Sequence, residues 1–246
     1  MSSHGASGKV QTGLPGLDKL LDGGFPRGKV ILVIGEPGTG KSILASQFLL
    51  WGLKAAERSV FIGMNEPKER YVAEMSGLNL DFAPYEKDGS FSFVDASGIR
   101  RIPEQARVGR IPVGGKELGL VNLIDMVEEA TEKTKPARVA IDSITDLVFR
   151  FPGLDERRPV ILDLVEALHG TGATCVMTSE VASTGADRLL QPEEYLAEGV
   201  IHLRRLAKGV RSIEILKMRG SKIDTKPRPY VITDTGVEVL ASEEIY

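Results

Sequence analysis

The run Gly35-Glu36-Pro37-Gly38-Thr39-Gly40-Lys41-Ser42 carries the densest chemistry in the sequence. It matches G-x-x-x-x-G-K-[ST] at every fixed position, a pattern suited to holding phosphates. Its glycines let the backbone curl until successive N–H groups converge on an anion. Lys41 offers an ammonium to the outer phosphates and Ser42 a hydroxyl to Mg²⁺. A helix opening at Ser42-Ile43 turns its positive dipole end toward the same anion. Average composition would produce this pattern in roughly one chain in a hundred of this length. Context weakens the alternative of a glycine-rich turn beside a stray lysine. Five apolar residues (30–34, VILVI) precede the loop, and an amphipathic stretch, 42–54, follows it.

A magnesium–nucleotide site also needs a carboxylate at the tip of a neighbouring strand, the edge where ligands bind in such sheets. Asp142 ends the strand-like stretch 138–141 and fits that need; alone, an Asp after an apolar run is more often a helix cap, and the phosphate loop is what favours the metal-shell reading. Hydrolysis further requires a group to take a proton from water. Asn65 and Glu66 follow the strand-like stretch 59–64, and only Glu66 can accept a proton. The competing reading of Glu66 is a carboxylate favoured by the dipole of the helix it precedes.

The elements that hold these residues alternate. Strand-like runs at 30–34, 59–64, 91–95, 138–141 and 174–179 are separated by helical stretches at 42–54, 68–75, 120–133 and 159–169. Such alternation predicts an α/β fold, a largely parallel sheet covered on both faces. Residues 200–205, 210–218, 230–233 and 237–240 read as further strands, expected to extend the sheet in antiparallel fashion. Residues 96–117 are the least patterned. Five basic residues there outnumber two acidic ones, which fits a solvated loop or a contact surface for an anionic partner or a neighbouring subunit. One domain over 1–246 suffices, with residues 1–9 expected to be flexible.

Composition narrows the function classes. The 246 residues are 42% hydrophobic with a formal net charge of −3, which disfavours a dedicated nucleic-acid binder. There are 27 glycines where average usage gives roughly 17, clustered at turns and the phosphate loop. The lone cysteine, Cys175, lies in an apolar run and reads as a buried, inert thiol. No apolar run reaches membrane-spanning length, and the first nine residues lack a hydrophobic signal region. A cytoplasmic protein without membrane contact is expected.

The segments VQTGLPGLD (10–18) and LDGGFPRG (21–28), followed by the phosphate loop, resemble the opening of KaiC/RadA-type ATPases of the RecA superfamily. The similarity continues through Asn65-Glu66, IDSITDL (141–147), EEYLAEGVIHL (193–203), LKMRGSKID (216–224) and VITDTG (231–236), nearly the whole chain. A single KaiC-like domain with the RecA-like P-loop NTPase fold is the nearest form. The resemblance implies ATP and Mg²⁺ bound between identical subunits of a hexameric ring. Lys217 and Arg219 would reach the γ-phosphate held by the next subunit, in the manner of arginine fingers. Met218, Ser221, Thr233 and Asp234 match other nucleotide-contacting positions, the last three near the neighbour's nucleotide. An alternative for Lys217 and Arg219 is basic residues on an exposed edge strand.

Three departures from the family pattern matter. Asn65-Glu66 stands where a Glu-Glu pair is usual, which implies slow hydrolysis through Glu66. Ile223 replaces a common histidine. Glu194-Tyr195 stands where the autokinase form of the domain has Ser-Thr, which disfavours phosphorylation there. The leading expectation is a slow ATPase ring that passes its nucleotide state to a protein partner. The alternatives are a serine/threonine autokinase using Ser183 or Thr184, a non-hydrolysing nucleotide-dependent scaffold and, less favoured, a DNA-binding recombinase relative.

Overall fold

The computed structural model describes residues 8–101, 105–108, 111–181 and 190–245. The chain begins with β1 (Lys9–Val10), α1 (Pro15–Leu20) and β2 (Phe25–Pro26), the two short strands pairing with each other. Next come β3 (Val30–Gly35), α2 (Lys41–Lys54), β4 (Ser59–Gly63), α3 (Lys68–Ser76), α4 (Ala83–Lys87) and β5 (Phe91–Asp95). A 3-10 turn (Ser97–Arg101), β6 (Gln105–Val108) and β7 (Ile111–Gly114) lead into α5 (Gly115–Thr134). Then follow β8 (Arg138–Asp142), α6 (Thr145–Arg150), α7 (Leu154–Gly170) and β9 (Thr174–Glu180). The chain finishes with α8 (Pro192–Leu196), β10 (Gly199–Arg205), β11 (Arg211–Met218), β12 (Arg228–Thr233) and β13 (Gly236–Val239).

Among the described residues the main sheet has nine strands in the order β13-β12-β11-β10-β3-β9-β8-β4-β5. The six strands from β10 to β5 are parallel, and β11, β12 and β13 add antiparallel pairings. β3 shows why the centre of this sheet reads as an unbroken apolar run. Ile31 and Val33 pack on one face with Leu44, Phe48 and Leu49 of α2. Val30, Leu32 and Ile34 pack on the other with residues of α5, α6 and α7. Each such side chain stabilises the fold by roughly 1.5–3 kcal/mol when fully buried. Cys175 is fully buried within β9, and burial pushes its thiol up to about 12, so it is the inert residue expected.

The structure corrects several expectations. Residues 200–205 were expected to be antiparallel, but β10 runs parallel to β3 and is antiparallel only to β11. The reason is its connection: the chain crosses from β9 back to the sheet through α8 instead of turning in a hairpin. Residues 96–117 are not a structureless loop, since β6 and β7 pair in a hairpin and α5 begins at Gly115. Helix α7 starts at Leu154, five residues before Pro159, which lies inside the helix and cannot donate to the carbonyl four residues back. Lys9 is not free: its ammonium donates to the Leu21 and Asp22 carbonyls at 2.6 and 2.8 Å. Ser183 and Thr184 lie outside the described residues. No helix among those described is long and apolar enough to cross a membrane.

Candidate nucleotide site

The phosphate loop leaves the end of β3 and enters α2, at the carboxyl edge of the parallel strands. Gly40, a fixed position of the pattern, and Gly38, a variable one, have φ of +92° and +75°, backbone that a residue with Cβ resists, so the loop's shape calls for glycine at both. Thr39 Oγ1 donates to the Glu36 carbonyl at 2.7 Å, closing the loop on itself. Lys41 is only 7% exposed, and its ammonium donates to the Gly35 and Glu36 carbonyls at 2.9 and 3.0 Å. Burial lowers its pKa, opposed by the nearby carboxylates of Glu180, Asp142 and Glu36. Loop residues are braced from the far end of the chain as well: the Tyr230 hydroxyl on β12 donates to the Thr39 carbonyl at 2.5 Å.

A cavity of about 340 Å³ opens over this loop. Pro37, Gly38, Gly40, Lys41, Ser42 and Ile43 line one side, with Asn65, Asp142, Ser143 and Glu180 at the strand tips opposite. Glu74 also lines it, and Met75, Leu78 and Ile232 give it an apolar end. Asp142 is where strand-end reasoning puts it, and the Thr178 hydroxyl donates to its Oδ1. Ser42 and Asp142 therefore face one space with hard oxygen donors, a set that suits Mg²⁺ completed by phosphates and water. Among the described residues there is no cluster of three or more His, Cys, Asp or Glu side chains able to cage a metal.

Glu66 falls differently. It does not line the cavity, and its Oε2 lies 3.3 Å from Arg70 Nε, one helical turn on. Its pKa is raised, first by burial and then by the Glu74 charge, while Arg70 pulls the other way and Asp142 raises it further. Its neighbour Asn65 does line the cavity, donating to Ser143 Oγ at 2.9 Å. Glu180 was missed in the sequence because the strand was ended at Ser179. The signal that found Asp142, a carboxylate closing an apolar strand, applies to Glu180 equally.

Lys217 and Arg219 stand apart from this chain's own cavity lining. Lys217 Nζ donates to the carbonyls of Glu194, Tyr195 and Ala197 at 3.0, 2.9 and 2.5 Å, and Arg219 joins it on Tyr195 at 3.1 Å. Burial lowers the Lys217 pKa, and the Arg219 charge adds to the effect. Lys217 lies on the part of β11 that pairs only with β10, since β12 pairs with residues 211–213 alone, and Arg219 follows the end of the strand, so the reading of basic residues on an exposed strand edge stays open. Met218 has its side chain in the core beside Gly199, which leaves only its backbone for a nucleotide contact. Ser221 Oγ is buried without a hydrogen-bond partner among the described residues. Thr233 and Asp234 follow Ile232 and do not line the cavity themselves, and the Asp234 carbonyl accepts a hydrogen bond from Asn79 Nδ2 at 2.9 Å. Ile223 packs against the core, and Glu194 completes a capping box with Gln191 at the start of α8.

A phosphate loop hung from the central strand of such a sheet, with an acidic strand tip beside it, is the architecture of P-loop nucleotide-binding proteins, and this chain has it. Residues 10–244 match the family model described as "ATPase: KaiC". A UPF0273 protein of Aeropyrum pernix is 37% identical over 242 residues, covering 96% of this chain and 95% of the relative. The circadian clock protein KaiC3 of Synechocystis is 33% identical over 237 residues, but the match spans only 45% of that longer protein. The crystal structure of a KaiC-like protein from Pyrococcus horikoshii superposes with a TM-score of 0.79 at 29% identity, covering 95% of this chain and 99% of that one. The chain belongs to the KaiC ATPase family and is a nucleotide-binding, KaiC-like domain of the RecA superfamily.

Proposed function

We propose that this chain, one KaiC-type domain spanning 1–246, binds Mg-ATP and hydrolyses it slowly at the interfaces of a homo-oligomeric, six-membered ring that serves a regulatory role in the cytoplasm. The observation that carries the reading is the convergence of Lys41, Ser42 and Asp142 on one cavity over a complete phosphate loop. The loop amides and Lys41 would hold the β- and γ-phosphates, with Ile43 in the first turn of the helix behind them. Ser42 and Asp142 would hold the magnesium shell. When bound, Mg²⁺ would supply positive charge to offset that of the phosphates. Glu66 would draw a proton from the attacking water, and its engagement with Arg70 supports slow turnover. The absence of Lys217 and Arg219 from the chain's own cavity lining supports a role toward a neighbour's γ-phosphate. Ser221, Thr233, Asp234 and the Met218 backbone would complete the nucleotide contacts.

ATP turnover and solution mass, measured with and without Mg-ATP, test this reading. A nucleotide-stabilised ring whose hydrolysis is lost in both Glu66→Gln and Arg219→Ala supports it. A monomer that binds ATP and is indifferent to both changes removes the interface and both catalytic assignments, leaving the phosphate loop alone. Binding without any hydrolysis identifies a nucleotide-dependent scaffold instead.

A further inference from the structure

Of the three acidic residues whose charges bear on Lys41, Glu180 is the one to which the proposed chemistry gives no task. It closes β9, the strand between the one that launches the phosphate loop and the one that ends at Asp142. In the sheet register it stands opposite Gly35, the first residue of the loop. Its backbone is pinned on both sides. The Glu180 N–H donates to Thr145 Oγ1 at 3.0 Å, and the Val181 N–H donates to the Gly35 carbonyl at 3.4 Å. Thr145 Oγ1 also accepts from Ser143 Oγ at 2.9 Å, and Ser143 Oγ accepts from Asn65 Nδ2 at 2.9 Å. One hydrogen-bonded chain thus ties the tips of β4, β8 and β9 together and fixes where Glu180 departs from the sheet.

From that anchor Glu180 lines the cavity together with Lys41, Ser42 and Asp142, and Glu66 does not. Among the described residues no hydrogen bond reaches the Glu180 carboxylate, whereas Glu66 is only 19% exposed in its side chain and sits beside Arg70. A carboxylate in this place competes with phosphates for Lys41, so it works against tight binding of the nucleotide itself. It can also accept a hydrogen bond from a water molecule lying against the terminal phosphate.

We infer that Glu180 is a further catalytic carboxylate, which orients the water that attacks the γ-phosphate. The inference rests on the ATPase reading above. In the step, the water oxygen bonds to the γ-phosphorus as the bond from that phosphorus to the ADP oxygen breaks. Glu180 orients that water, and the proton it releases passes to Glu66, the base of the reading above, and from there to the departing phosphate. No further reactant is needed.

The test uses the full chain with Glu180→Gln, Glu66→Gln and the double variant. Steady-state phosphate release gives turnover, calorimetry with ADP in EDTA gives affinity without metal, and thermal melting reports the fold. Glu180→Gln is expected to lose at least tenfold in turnover while binding ADP in EDTA several-fold more tightly, at a melting temperature close to wild type. Wild-type turnover in Glu180→Gln overturns the inference and leaves the ATPase reading standing. A parallel fall in turnover, affinity and melting temperature also overturns it, because the residue then acts only by supporting the fold. A wild-type protein that binds ADP yet releases no phosphate from ATP overturns the ATPase reading, and this inference with it.

Discussion

The two ends of the parallel strands handle charge in opposite ways. At the amino end, Arg138 is nearly inaccessible and fully engaged: its Nε lies 2.6 Å from Glu57, and Nη1 donates to the Gln11 and Phe48 carbonyls at 2.7 and 2.8 Å. Glu198 there meets Lys29 and His169 at 3.1 Å each and accepts the Val30 N–H at 2.9 Å. At the carboxyl end, Lys41, Asp142 and Glu180 share a cavity, and Lys41 donates to backbone carbonyls of its own loop. One end satisfies its charges internally and contributes stability. The other gathers charges whose best partners are a metal and phosphates, and contributes function. Of Lys41, Asp142 and Glu180, Lys41 alone is buried, held by backbone carbonyls rather than a close carboxylate, and burying a charge without an ionic partner costs stability.

This contrast can be broken from either side. The largest effect is expected at the carboxyl end: Asp142→Asn should lower steady-state phosphate release by about 10²–10³-fold, by analogy with the loss of a single transition-state contact. Its melting temperature should stay near wild type. Arg138→Met should do the reverse, costing about 3 kcal/mol in denaturant unfolding, because Glu57 and two carbonyls lose their cation, while ADP affinity in the folded protein holds. If Arg138→Met weakened ADP binding as much as it weakened the fold, the separation of roles between the ends would be wrong. Tyr230→Phe removes one hydrogen bond to the loop, worth about 1 kcal/mol, and calorimetry should show a correspondingly modest loss of ADP affinity.

The smallest effect concerns pH. Burial and the Glu74 charge keep Glu66 protonated above the ordinary carboxylate range, so the acid limb of turnover should lie above that range. Glu74→Gln should move the limb to lower pH. The linkage has a definite sign. A carboxyl that holds its proton more tightly folded than unfolded costs the fold stability as pH rises from its ordinary value through the raised one. Glu74→Gln should flatten that decline in melting experiments. A pH profile unchanged by Glu74→Gln would remove Glu66 from the rate-determining chemistry.

Much of this arrangement was legible in the sequence where local pattern and tertiary role coincide. Residues 30–34 are apolar on both faces because both faces are covered, and Lys41 and Ser42 follow from loop chemistry that is local by nature. What escaped depended on distant partners. Glu180 looked like the residue after a strand until the register set it opposite Gly35. The direction of β10 depended on the path through α8, which periodicity does not encode. The β6–β7 hairpin was hidden because arginines, glycines and Pro112 interrupt the alternation of Ala106, Val108, Ile111 and Val113. Arg138 read as the flank of a strand, and nothing local announces that its guanidinium binds carbonyls 90 and 127 positions away.

The hydrogen bond from Tyr230 to Thr39 joins residues 191 positions apart. A ribosome delivers the whole phosphate loop, and most of the parallel sheet, before it delivers the strand that braces that loop. Until β12 docks, the motif is present in every letter and lacks its support. Nucleotide affinity during synthesis or refolding thus gauges whether the final strands have been laid down. A chain cut short before Tyr230 would keep the signature of an ATPase and lose part of its grip on the ligand.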